Sequence, residues 1–140
     1  MKVLVDTNIL LDVVLNRKPF VEHASLIWRL AELKEIVAYV STTSITDIYY
    51  ICRKHAGKEK SRDFIADILN IFILADIDES GFRDALDSDI SDFEDAVQYV
   101  ISKRAGCNAF LTRNKGDFGN KSDALDPAEF IDKLKATGMI

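Results

Sequence analysis

The chain has little with which to build a covalent or soft-metal framework. Across 140 residues it holds two cysteines and two histidines. Cys52 and Cys107 lie far apart, and neither has a second Cys or a His at ligand spacing. A zinc site and a disulfide framework are both excluded, and the two thiols read as buried. His23 and His55 carry no paired spacing either. An excess of positive charge is also missing: 18 Lys+Arg stand against 23 Asp+Glu, a formal net charge of −5. A general positive field for nucleic acid is thereby excluded, so any contact with phosphates has to be local. Long apolar runs are absent too. Val3–Val5 is too short for a secretory leader. Ile36–Val40 and Ile71–Ala75 fall well below the roughly 20 apolar residues that a membrane span needs. The expectation is a cytoplasmic protein that begins at this Met and meets no membrane.

What is present is an ordinary globular balance, 48% apolar and 29% charged, over a length that suits one core, residues 1–140 as a single domain. Short apolar runs at Lys2–Val5, Ile36–Val40, Ile71–Ile77, Ala109–Leu111 and Ala124–Leu125 read as buried strands. The intervals between them are helical in pattern and long enough for parallel crossovers. A three-layer α/β/α sandwich around a mainly parallel sheet of about five strands follows.

The helices carry start and stop signals. Ile45, Ile48, Tyr49 and Cys52 recur at helical spacing, with Ser44 as cap and Gly57 as terminator. Phe93, Ala96, Val97, Val100 and Ile101 form a second stripe, opened by Ser91 or Asp92. Asp126, Pro127 and Glu129 spell a capping box for a terminal helix. The stretch Phe20–Leu33 around Trp28 is apolar over a wide arc, enough to face both the sheet and a partner chain.

The chemical signal is where the acids fall. Asp6 follows the first strand, Asp47 lies shortly after the second, Asp92 and Asp95 open the helix before the fourth, and Asp117 follows the fourth. Ligands of open parallel sheets bind outside the carboxyl ends of the strands, so these carboxylates can converge there. Together the five equal the entire formal excess of acid over base. Like charges held that closely call for a divalent cation. Oxygen donors without converging His or Cys select Mg²⁺ or Mn²⁺, metals of phosphate chemistry. Each acid also has a bland role. Asp47 can complete a capping box with Ser44, Asp92 can cap its helix with Asp95 reciprocating, and Asp117 beside Gly116 can be a turn residue. Asp6, followed by Thr7 and Asn8, is the hardest to explain that way. Arg53, Lys54, Lys58, Arg113 and Lys115 are candidate phosphate contacts, Tyr50 a candidate base-stacking ring, and His55 a helix C-terminal residue.

The segments VLVDTNILL at 3–11, SITDIYY at 44–50, DFEDAVQY at 92–99 and FLTRNKGDF at 110–118, in that order, resemble the PIN-domain ribonucleases, among them the toxin nucleases of bacterial and archaeal toxin–antitoxin pairs. The resemblance spans nearly the whole chain. It implies a PIN-like parallel sheet, a carboxylate pocket at its strand ends and cleavage of RNA phosphodiester bonds with Mg²⁺ or Mn²⁺. It makes Asp6, Asp47, Asp95 and Asp117 the catalytic metal-binding acids, with Asp92 as a further ligand. Asn8, Thr112 and Asn114 become supporting polar residues, Asn114 standing where relatives often carry Asp. It also implies a protein antitoxin and a homodimer. Two other readings keep the fold without the cleavage. One is a non-catalytic RNA- or protein-binding module, and the other is a magnesium-dependent phosphotransfer domain, for which no second acid beside Asp6 and no acceptor Asp with a Lys stand out.

Overall fold

The computed structural model describes all 140 residues. Five strands, β1 (Lys2–Val5), β2 (Val37–Ser41), β3 (Ile73–Ala75), β4 (Ala109–Leu111) and β5 (Ala124–Leu125), pair in the order β3-β2-β1-β4-β5. Every pairing is parallel, with Val3 opposite Ala38 on one side and Ala109 on the other. Seven helices connect them: α1 (Thr7–Val14), α2 (Val21–Glu32), α3 (Thr42–Ala56), α4 (Lys58–Ile71), α5 (Glu79–Asp87), α6 (Phe93–Arg104) and α7 (Pro127–Ala136). The sheet and its flanking helices form the expected α/β/α sandwich.

Alternation along the strands builds a core on each face. Val3, Val5, Ala38, Val40, Ala109, Leu111 and Leu125 point to a large core with α1, α2, α3, α4 and α7. Leu4, Phe110, Ala75 and Ala124 point to a smaller one with α5 and α6. Strands buried on both faces carry near-continuous apolar runs, which is why the short runs were visible in the sequence. Trp28 of α2 stacks on Phe64 of α4 at 5.3 Å and meets Phe72 edge-on at 5.2 Å. Its ring therefore joins two helices of the larger layer. No helix is long and apolar enough to cross a membrane.

Several boundaries differ from the sequence reading. The third strand is only Ile73–Ala75, because Ile71 closes α4, whose backbone ladder runs on to Phe72. Helix α3 starts earlier than expected. Ser41 caps it, its hydroxyl accepting from the Thr43 amide at 3.1 Å, so Ser44 lies inside the helix and Asp47 beyond its first turn. The Ser44–Asp47 capping box does not form. In α6 the buried stripe is Ala96, Val97, Gln98, Ile101 and Ser102, rotated from the apolar one. Phe93 is left exposed and faces Phe82 at 6.3 Å. The capping box at Asp126 and Glu129 forms as read, as does the chain reversal at Gly57, whose φ of 87° suits a residue without Cβ. His55 stands in the last turn of α3, its Nδ1 3.0 Å from the Ile51 carbonyl.

Candidate active site

Chain connections run from β1 outward through β2 to β3, then return to place β4 on the other side of β1. The direction of winding switches between β1 and β4, and a crevice opens at such a point outside the strands' carboxyl ends. Asp6 ends β1 there and Thr112 ends β4.

Asp6 occupies the N-cap position of α1, with φ −67° and ψ 150°, yet its side chain makes no cap bond. Its carboxylate instead receives two donors from distant parts of the chain. Gln98 Nε2 donates to Oδ1 at 3.0 Å and Thr112 Oγ1 donates to Oδ2 at 3.1 Å. All three residues are buried. Burial pushes the Asp6 carboxyl above the usual carboxylate range, against the pull of the bonds from Thr112 and Gln98 and of the Arg113 charge. An acid held this firmly but not used for capping is a chemical group.

Around it lies a pocket of about 370 Å³ lined by Asp6, Thr7, Asn8, Asp47, Tyr50, Ile51, Glu94, Asp95, Gln98 and Asn114. Four carboxylates share it, and no Lys or Arg lines it. The crowding shows in their protonation. Partial burial, then the charges of Asp92, Asp6, Asp117 and Glu94, push Asp95 up to about 6. Burial and the charges of Asp47, Asp92 and Asp6 raise Glu94 as well. The carboxylates stand along the walls without three of them closing to metal-ligand spacing. The donor set nevertheless fits a hard divalent ion: it is all oxygen, strongly anionic and has no Lys or Arg in the lining, and Mg²⁺ itself keeps several waters between it and such walls.

Of the residues singled out in the sequence, Asp6, Asn8, Asp47, Tyr50, Asp95 and Asn114 line this pocket. Thr112 lies behind Asp6, its hydroxyl also accepting from the Asn114 amide at 3.1 Å. Asp92 stands outside the lining as the N-cap of α6, its Oδ1 accepting from the Asp95 amide at 2.9 Å, with no reciprocal bond from the Asp95 side chain. Asp117 sits exposed in a 3-10 turn, Lys115–Phe118, outside the lining but near enough to raise Asp95. The candidate cations divide. Arg113 pairs with Asp12 at 3.0 Å and covers the Phe20 ring at 4.0 Å, and Lys115 pairs with Glu129 at 2.7 Å. Lys54 lies 4.3 Å over the exposed Tyr50 ring at the pocket wall.

Two polar pocket residues escaped the sequence reading. Glu94 and Gln98 stand four apart on α6 and so share a face with Asp95. Glu94 was hidden among neighbouring acids. Gln98 left one trace, a polar residue amid the helix's apolar positions.

A family model for the PIN domain matches residues 2–116, well over half of the chain. The chain belongs to the PIN-domain family. A curated relative within reach of this PIN-domain protein, Ribonuclease VapC1 of Aquifex aeolicus, is 26% identical over 137 residues, covering 94% of each chain. Among solved structures, a toxin–antitoxin complex from Klebsiella pneumoniae aligns with TM-score 0.69 and 18% identity over 89% of this chain and 97% of the other. VapC20 of Mycobacterium tuberculosis, a sarcin–ricin loop cleaving toxin, aligns with TM-score 0.67 and 13% identity over 85% and 95%. At those identities the structures bear on the fold alone, and the PIN fold is what they share.

Proposed function

We propose that this PIN-domain protein is an endoribonuclease that hydrolyses RNA phosphodiester bonds with Mg²⁺ or Mn²⁺, and that it is the toxin of a toxin–antitoxin pair. The observation that carries the reading is the convergence of Asp6, Asp47, Glu94 and Asp95 in one crevice that has no cation of its own. A nuclease among the curated relatives and toxin structures among the fold neighbours support it. A phosphotransfer domain is disfavoured, because no lysine lines the pocket.

Asp6, Asp47, Glu94 and Asp95 would hold the ion, with Asp117 and Asp92 adding negative charge from just outside. Bound there, the metal would supply Lewis-acid polarisation of the phosphodiester and a more acidic water. The chain's own contributions are positional. Gln98 and Thr112 fix both oxygens of Asp6, so its direction costs nothing to set when substrate arrives. Asn8 and Asn114 present amides that can meet ribose or phosphate oxygens. Tyr50 offers a ring to an unpaired base, and Lys54 above it offers a charge to a phosphate. An exposed ring that can stack an unpaired base favours single-stranded or looped RNA. The proposal extends to a protein antitoxin, a homodimer and a cytoplasmic place of action, where RNA is met.

The test is a mixed RNA pool incubated with wild type, Asp6→Asn and Asp95→Asn, with Mn²⁺ or with EDTA. Wild type is expected to cut only with Mn²⁺. Each variant is expected to be slower by roughly a hundredfold or more, the equivalent of a few kcal/mol of transition-state stabilisation. Asp6→Asn should stay folded, since an amide can still accept from Gln98 and can donate to the Thr112 hydroxyl. Cutting that survives EDTA, or that either variant retains in full, overturns the mechanism.

A further inference from the structure

Gln98 is 4% exposed and is the only glutamine in the chain. One end of its amide is committed: Nε2 donates to Asp6 Oδ1. A carboxylate only accepts, so the amide turns its NH₂ toward Asp6 and its carbonyl oxygen the other way. That oxygen, Oε1, is buried and has no partner, and neither has the buried hydroxyl of Thr7, the residue after Asp6. Both residues line the carboxylate pocket. Buried acceptors without donors are rare in native proteins. The neighbouring acids cannot supply a donor while ionised, and no amide or hydroxyl of the chain reaches Oε1. The pocket that Gln98 lines can admit a donor from outside the chain.

We propose that Gln98 belongs to the cation site, its Oε1 accepting a hydrogen bond from a water carried by the ion while its Nε2 orients Asp6. The proposal rests on the reading of the pocket as a divalent-cation site. A neutral amide does there what a fifth carboxylate could not. It holds a polarised water without adding to the mutual repulsion that already crowds Glu94 and Asp95, and it couples that water to the direction of Asp6. Groups that orient ligands and waters of an ion typically change its affinity by about 10–100-fold.

The test uses the whole chain without RNA. Because there is one glutamine, protein labelled with ¹³Cδ-glutamine gives a single side-chain carbonyl signal. On titration with Mg²⁺ that signal is expected to move and to saturate at the concentration where calorimetry shows Mg²⁺ bound. Gln98→Met, which keeps the length but neither donor nor acceptor, is expected to bind Mn²⁺ about tenfold more weakly. If that variant does not fold, the carbonyl titration of the wild type decides alone. A carbonyl signal that stays still while Mg²⁺ binds overturns the proposal, as does a folded Met variant with undiminished affinity. A wild-type protein that binds neither ion overturns the cation-site reading and this proposal with it.

Discussion

Behind the pocket, the side chain of Asp12 is 1% exposed and lies between two guanidiniums, Arg113 Nε at 3.0 Å and Arg17 Nη1 at 3.7 Å. Burial pushes its carboxyl up, and the charges of Arg113 and Arg17 pull it back. Arg113 stands between Thr112 and Asn114, so this ion pair fastens the loop after β4 to α1. Arg113→Met would leave a buried carboxylate with only its weaker partner. We expect a loss of roughly 3 kcal/mol in urea unfolding, because breaking a buried pair from one side strands the other charge. The double variant Asp12→Asn/Arg113→Met is expected to lose less than the sum of the single changes, as interacting neighbours do. Additive losses would mean that the pair contributes nothing as a pair. The same residue explains a limit of sequence reading. Arg113 looked like a phosphate contact because it neighbours the candidate acids, while its partner Asp12 lies 101 positions earlier in an apolar helix and gave no sign of being buried.

Helix ends were the most legible elements where their chemistry is local. The Asp126 and Glu129 bonds, at 2.9 Å and 3.3 Å, lie within four residues, so sequence alone could state them. Asp126→Ala is expected to cost about 1 kcal/mol through the lost N-cap, read from the shift of the urea midpoint at unchanged slope. A shift indistinguishable from zero would show that α7 is held by packing of Phe130 and Leu134 alone. At α3 the same kind of reading failed because four hydroxyl residues, Ser41 to Ser44, compete for one cap. The winner is set by where β2 stops pairing with β3, a fact of the sheet. Helix α6 failed differently. Its apolar stripe predicted Phe93 inside, but Phe93 is exposed and the polar Gln98 is buried instead, while Val100 packs half-buried on the smaller core. Asp6, Asp47 and Asp95 were readable as pocket acids because strand exits are readable. Gln98 and Thr112 matter through bonds to Asp6 across 92 and 106 positions, and no local pattern encodes such a pair.

For the whole molecule, the crowded acids make stability depend on pH. Asp95 ionises near 6 in the folded chain, above its ordinary 3.8, so between those values the folded state keeps a proton that the unfolded state has released. Stability from this group is present below about 4 and is lost as pH rises through about 6. Glu94, Asp6 and Asp12 are raised and act in the same direction. Asp78, Asp89, Asp123 and Glu129 are lowered by their partners, and their contribution is lost only on acidification below about 4. Melting temperature of the protein in EDTA is therefore expected to fall between pH 4 and 7. Asp95→Asn should flatten that fall and melt above wild type at pH 7. Mn²⁺ at pH 7 should raise the wild-type melting temperature by more than that of the variant. A wild-type profile that is flat across the window would show that the carboxylates do not repel one another.

Strand β1 is the middle strand of the sheet. It pairs with β4, register Val3 to Ala109 and Val5 to Leu111, and Asp6 finds both of its donors only in α6 and just past β4. Asp6 consequently has its fixed direction only while α6 and the turn after β4 are both seated beside β1, so unseating either element dismantles the pocket without altering a single acid.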